Sequence, residues 1–183
     1  MIDRKSALKL LHDKVRERNL IKHMIAVEAI MRALARHLGE DEELWGLVGL
    51  LHDIDYEETK NCFEKHGLVS AEILKEMLPE NALNSIRAHN EMTGFKDDSK
   101  LTKALMAADQ LSGLIIATAL VMPNKKLSEV KVKSIKKKFK QKDFARRIRR
   151  DKIKLCEEIG VPLQEFFRIG LEALQSISSE LGL

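Results

Sequence analysis

Asp109 follows Ala107 and Ala108 and precedes Leu111 and Leu114, inside a strongly apolar stretch. A carboxylate at a buried helix position costs so much to desolvate that it needs a metal ion, a cation or several hydrogen-bond donors beside it. Upstream, the string Leu50-Leu51-His52-Asp53-Ile54-Asp55 ends an apolar run on an adjacent imidazole and carboxylate. Neighbours on a helix diverge by about 100°, so His52 and Asp53 can serve one centre only where the helix ends or where one of them bridges. His23 stands in a third apolar segment. Taken singly, each has a plainer reading: a capped core aspartate, a polar helix end, a satisfied histidine. Together they form a set of nitrogen and oxygen donors spread over three segments, and the chemistry of such a set is divalent-metal binding.

The elements that must position these residues read as helices throughout. Leu8, Leu10, Leu11 and Val15 recur at helical spacing over 6–18. The segment 20–38 puts Met24, Val27, Ile30, Met31 and Leu34 on one face with His23 one turn in, and stops at Gly39. Asp41 can cap the next helix, whose nearly all-apolar run delivers His52 and Asp53 at its end. The spacing predicts a helix over 64–78 with His66 near its start, another from Pro79 carrying Ile86 and His89, and a long one from a Ser99 cap through Val121 with Asp109 in its middle. Pro123 ends that helix. Two helices are expected in the basic segment, with Val130, Val132, Ile135 and Phe139 on the apolar side, and a last one from Pro162 through Leu181. No repeat and no strand pattern is present, so the expected fold is all-α, one domain over 1–183. Within it, 20–122 is the core and 123–183 a basic and amphipathic C-terminal extension.

A chain of 183 residues can bury about two-thirds of its unfolded surface, and 44% apolar residues exclude a disordered composition. Charge is uneven. Between 124 and 154 fifteen Lys or Arg face three acids, a local net of +12, which leaves −8 for the rest of a chain whose total is +4. That segment could contact nucleic acid through 125–154, gather phosphate, or simply solvate two helices; Phe139 and Phe144 alone offer little base stacking. Cys62 and Cys156 are too far apart in sequence for a zinc ribbon and too few for a disulfide framework. The N-terminus shows no secretory layout, so a reducing cytoplasm is the expected compartment. Lys103, Asp109 and Gln110 interrupt the one candidate membrane span, and no membrane insertion is expected.

The order of these residues resembles the HD superfamily of metal-dependent phosphohydrolases, named for its adjacent His-Asp pair. The resemblance lies in Lys22-His23 followed by Val27-Glu28, in Gly49-Leu50-Leu51-His52-Asp53-Ile54 and in Ala107-Ala108-Asp109, and it covers about 20–120. It implies an HD-type helical bundle in which His23, His52, Asp53 and Asp109 hold a metal. Lys65-His66-Gly67 with Ser70-Ala71, and Ile86-Arg87-Ala88-His89-Asn90, look like the additional ligands of its two-metal members. By that resemblance His66 and His89 complete a second site, with Asp53 bridging two ions. Imidazoles and carboxylates without a thiolate suit iron, manganese, cobalt or similar ions. Such ions lower the pKa of water toward neutrality, so the implied reaction is hydrolysis of a phosphomonoester or phosphodiester on a small phosphorylated molecule or nucleotide. No Ser or Cys nucleophile is expected.

The chain departs from the family pattern at two points. Many two-metal members read His-Asp-Ile-Gly followed by a lysine that contacts phosphate, and here Asp55 and Tyr56 hold those places. Lys103, Arg87 or a residue of the basic segment is then the candidate for that charge. The histidine doublet of cyclic-dinucleotide phosphodiesterases is also missing, because Asn90 follows His89. Asp53, Asp55, Tyr56 and Lys103 are the candidate catalytic residues, and Glu28, Asp55 and Tyr56 are candidates for orienting ligands or meeting substrate. Two other classes share the pattern: a di-iron oxygenase of HD type, and a metal- or RNA-binding regulator without turnover.

Overall fold

In the computed structural model, which describes residues 1–183, the chain forms helices joined by turns and short loops, with no strand. Asp3 accepts a hydrogen bond from the Ser6 amide and opens α1 (Arg4–Lys14). It is followed by α2 (Arg18–Leu38) and α3 (Glu42–Leu51), the latter capped by Asp41 through the Leu44 amide. A short α4 (Tyr56–Thr59) leads through a turn to α5 (Leu68–Leu74) and α6 (Glu80–His89). Ser99 accepts from the Thr102 amide and starts α7 (Lys100–Leu120). The extension supplies α8 (Val132–Lys140), α9 (Arg150–Ile153), α10 (Leu155–Glu158), α11 (Leu163–Ser176) and α12 (Ser178–Leu181).

The α2–α3 hairpin and α7 are the frame on which the site is built. At their crossing, a Cβ on Gly49 would stand 3.0 Å from the backbone of Glu28, so only glycine lets α3 lie this close to α2. Helix α7 is long and apolar enough to cross a membrane by length and composition. Most of its apolar residues are nonetheless buried within the fold, because α2, α6, α8, α9, α10 and α11 all pack around it, and Leu120 at its end is exposed. One buried apolar cluster of 47 residues runs from Ala7 to Leu181. It includes Leu127, Ile135, Ile153, Cys156 and Phe166, so the extension closes the same interior as the segment before it.

Three helical expectations change in the structure. The segment 64–78 is broken. A 3₁₀ turn (Phe63–Lys65) precedes His66, which is extended, and Gly67 at φ 91 begins a shorter α5. A Cβ on Gly67 would stand 2.7 Å from the Ile86 carbonyl oxygen, and this close approach to α6 interrupts the helix. In the basic segment, 141–149 forms turns instead of a second long helix. The Arg150 guanidinium donates to the carbonyls of Phe139, Gln141, Phe144, Ala145 and Ile148, doing for those groups what a helix ladder otherwise does. The last helix also stops short, at Ser176, before the separate turn of α12.

Candidate metal centre

Five elements deliver six side chains to one place. His23 projects from α2, His52 is the residue on which α3 ends, and Asp53 lies in the turn beyond it. His66 comes from the extended residue before α5, His89 from the last position of α6, and Asp109 from the middle of α7. Asp53 is central. Its Oδ1 lies 3.3 Å from His52 Nε2, 3.1 Å from His66 Nε2 and 3.2 Å from His89 Nε2, while its Oδ2 lies 3.7 Å from His23 Nε2. Asp109 Oδ1 is 3.0 Å from His23 Nε2. Two groups of donor atoms, each within 4.8 Å of one another, result: His23, His52 and Asp109, and His52, Asp53 and His89.

The other nitrogen of each ring fixes which lone pair is free. His52 Nδ1 donates to the Gly49 carbonyl at 2.8 Å and His89 Nδ1 to the Ile86 carbonyl at 2.6 Å. His66 Nδ1 donates to Asp55 Oδ1 at 2.8 Å. Ser112 gives its hydroxyl proton to the Asp109 carbonyl, so its oxygen is left to accept from His23 Nδ1 at 3.3 Å. With each Nδ1 held to a protein acceptor, the Nε2 atoms are the ones turned toward the carboxylates, free to carry a proton or, once it is lost, to offer a lone pair. His66 Nε2 and His89 Nε2 are only 3.2 Å apart, and His52 Nε2 is fully buried without a hydrogen-bond partner. Lone pairs facing one another and an oxygen at these distances repel unless a cation lies among them. The residues present therefore fit a metal ion.

The electrostatics point the same way. Burial holds His52 below the ordinary imidazole range, which keeps it neutral. Burial alone would raise Asp53, but His52, His66 and His89 hold it well below the usual carboxylate range. Asp109 is likewise held down against burial by its bond to His23. Burial disfavours protonated His66, yet its bonds to Asp53 and Asp55 and their charges prevail and raise it to about 9. His23 is raised in the same manner by Asp109 and Asp53. The cluster attracts positive charge, whether protons or a metal.

A cleft of about 390 Å³ opens over the cluster. Tyr56, Phe63 and Met92 supply its apolar lining, and Gln110, Arg149 and Lys152 much of its polar lining. Asp55 is buried behind His66, and Tyr56 packs edge-on against the same ring, centroids 5.4 Å apart. Four sequence candidates are not brought to the cleft, Asp55 among them, because its carboxylate is buried and spent on His66 and two backbone amides. Lys103 is six residues before Asp109 on α7, on another face, and is paired with Asp98 at 2.9 Å and Glu158 at 3.0 Å. Arg87 bonds Glu80 and Asn84 and lies over the Phe95 ring. Glu28 is buried with Arg4 and Arg32, tying α1 to α2. The larger cleft of about 880 Å³, lined by His12, Arg16 and Lys22 among others, contains none of the six clustered residues. Sequence reasoning missed Ser112 and Gln110, whose only signal was their place beside Asp109 on one helix.

The fold and site define a helical domain with two overlapping His/Asp metal-ligand groups where α2, α3, α6 and α7 meet. The HD domain family profile matches residues 20–114, half of the chain, and the chain belongs to that family, whose members are mostly metal-dependent phosphohydrolases. Ribonuclease Y of Oleidesulfovibrio alaskensis is 31% identical over 96 residues, 52% of this chain and 18% of that protein. Ribonuclease Y of Sulfurovum sp. is 33% identical over 96 residues, 51% of this chain and 18% of that protein. The match thus spans less than a fifth of these relatives' length. No solved structure matches the chain.

Proposed function

We propose that the chain is a metal-dependent hydrolase that cleaves a phosphoester bond of a nucleotide-like substrate, with water as the nucleophile. The observation that carries this reading is the shared orientation of four imidazoles, each with Nδ1 engaged on the protein and Nε2 turned toward Asp53 or Asp109. The donor set holds only nitrogen and oxygen, which suits one or two iron, manganese or cobalt ions. His23, which pairs with Asp109, faces Asp53 Oδ2, His66 and His89 face Asp53 Oδ1, and buried His52 belongs to both groups. An ion of this kind, when bound, lowers the pKa of water toward neutrality and offsets charge developing on phosphate. Asp53 then positions both halves of the centre, Asp55 fixes His66, and Tyr56 forms a wall of the cleft. Similarity to the HD segment of Ribonuclease Y supports a nucleotide or nucleic acid as substrate class, and the basic segment 125–154 supports contact with an anionic chain. Two free cysteines suit a reducing cytoplasm.

Metal content per chain, measured on protein purified under low oxygen, tests this. About two ions are expected in the wild type, falling by roughly one in His66→Ala or His89→Ala. Hydrolysis of a panel of nucleotides and short RNAs is expected to disappear in Asp109→Asn. A wild-type protein that takes up no transition metal on reconstitution overturns the reading.

A further inference from the structure

The family's phosphate-contacting lysine is replaced at its usual place, and neither Lys103 nor Arg87 reaches the cleft. We propose that Arg149 and Lys152, both on the C-terminal extension, form the anion-binding wall of the metal cleft, with Glu91 as the counter-ion that a substrate phosphate displaces. The inference rests on the reading that this centre acts on a phosphoester.

Both cations line the cleft together with Asp53, His66, His89 and Asp109. Their position relative to the metal ligands is fixed by one side chain. Gln110 donates from Nε2 to Asp109 Oδ2 at 2.8 Å, and its Oε1 accepts from the Arg149 backbone amide at 2.9 Å. The loop before Arg149 is held as well. Ile148 is seated on Gly113 of α7, where a Cβ would stand 2.7 Å from its Cδ1, and the Arg150 guanidinium gathers the loop's carbonyls. A basic loop tied down in this way presents its charges at a set place, which a merely solvated charge run does not require.

Glu91, two residues beyond His89, is the acid that both cations share. It pairs with Lys152 and lies 3.4 Å from Arg149, whose other partner is Asp151 at 2.7 Å. The Glu91 side chain is 56% exposed, so its hold on the two cations is weak and screened. Lys152 is only 18% exposed, and Glu91 is its one ion-pair partner. A phosphate dianion carries more charge than a carboxylate and accepts in more directions, so it can replace Glu91 on both cations while another of its oxygens faces the metal ligands. A cleft of about 390 Å³ admits a single nucleotide or the terminal nucleotide of a chain.

Inorganic phosphate is the probe, with affinity for the manganese-loaded chain of residues 1–183 measured by calorimetry. The double variant Arg149→Gln/Lys152→Gln is expected to bind phosphate at least about tenfold more weakly. Its manganese content and thermal midpoint are expected to match the wild type. Glu91→Gln is expected to tighten phosphate binding several-fold. Lys136→Gln/Lys137→Gln removes the same charge from the exposed face of α8 and is expected to leave affinity within about twofold. Unchanged phosphate affinity in the double variant at normal manganese content, or an equal loss in the α8 control, overturns the anion wall while leaving the hydrolase reading intact. Weaker phosphate binding by Glu91→Gln overturns its role as counter-ion. Failure of the wild type to hold manganese is the separate result that removes the hydrolase reading itself.

Discussion

The carboxylate of Asp55 is fully buried and uses both oxygens on the protein. Oδ1 accepts from His66 Nδ1, and Oδ2 accepts from the amides of Gly67 at 2.8 Å and Ser70 at 2.9 Å. Three donors and no other partner mean that only an acceptor on both sides satisfies this place. Asp55→Asn puts an amide NH₂ either against two backbone N–H groups or against His66 Nδ1. In the second case the ring must move its proton to Nε2, the nitrogen that faces Asp53. The expected result is a fall of about 10- to 100-fold in metal affinity, measured by competition with a chelator, with helicity preserved. Affinity equal to the wild type would show that His66 is oriented by something else. His23, His52, Asp53 and Asp109 were legible in the sequence because buried ionisable groups in apolar segments are rare and need partners, whereas His66 and His89 were singled out only by the family resemblance. Most of what orients the rings was not legible, since the Gly49 and Ile86 carbonyls are main-chain groups that leave no mark in residue types, and Ser112 is marked only by its place near Asp109.

Helix α3 carries His52 and Asp53, and helix α2 carries His23, so the crossing of these two elements sets a distance inside the centre. Gly49 sits at that crossing, with Glu28 Cα and N and Met31 Cγ each 3.0 Å from where a Cβ would stand. The obstructing atoms are mostly helix backbone, which cannot rotate away. Gly49→Ala must therefore shift α3 by a few tenths of an ångström, at a cost of about 1–3 kcal/mol. For a chain of this size that lowers Tm by very roughly 2–12 °C, and metal occupancy is expected to fall as well. A midpoint unchanged within 1 °C by calorimetry would show that the crossing has slack. Gly46→Ala on the same helix is the useful contrast, because its Cβ would meet the flexible Arg32 side chain. Apolar periodicity and capping residues such as Asp41 and Ser99 made these elements readable. The breaks at 66–67 and 141–149 were not, because a carbonyl from α6 and a guanidinium nine residues from Gln141 produce them, and neither follows from local propensity.

Across the whole molecule, the basic extension and the acidic remainder are electrostatically distinct but share one interior. The local excess of +12 was visible in the sequence, yet the placement of Arg149 and Lys152 at the cleft depended on tertiary packing of Ile148, Ile153 and Cys156 against α7. If the interior is shared, the extension cannot open while the metal core stays folded. Cys156 is the probe for this. It is fully buried in α10, burial pushes its thiol up to about 12, and it is inert to a thiol reagent unless α10 leaves α7. In a Cys62→Ser background, labelling of Cys156 is expected to follow loss of far-ultraviolet helicity through a denaturant series, as one transition. If metal binds the folded state alone, adding it at about 100 times Kd slows labelling about a hundredfold when reclosing is faster than reaction. Labelling that proceeds at full helicity, and at a rate indifferent to metal, would make the extension a separately opening flap. Arg149 and Lys152 would then meet the metal centre only in its closed state.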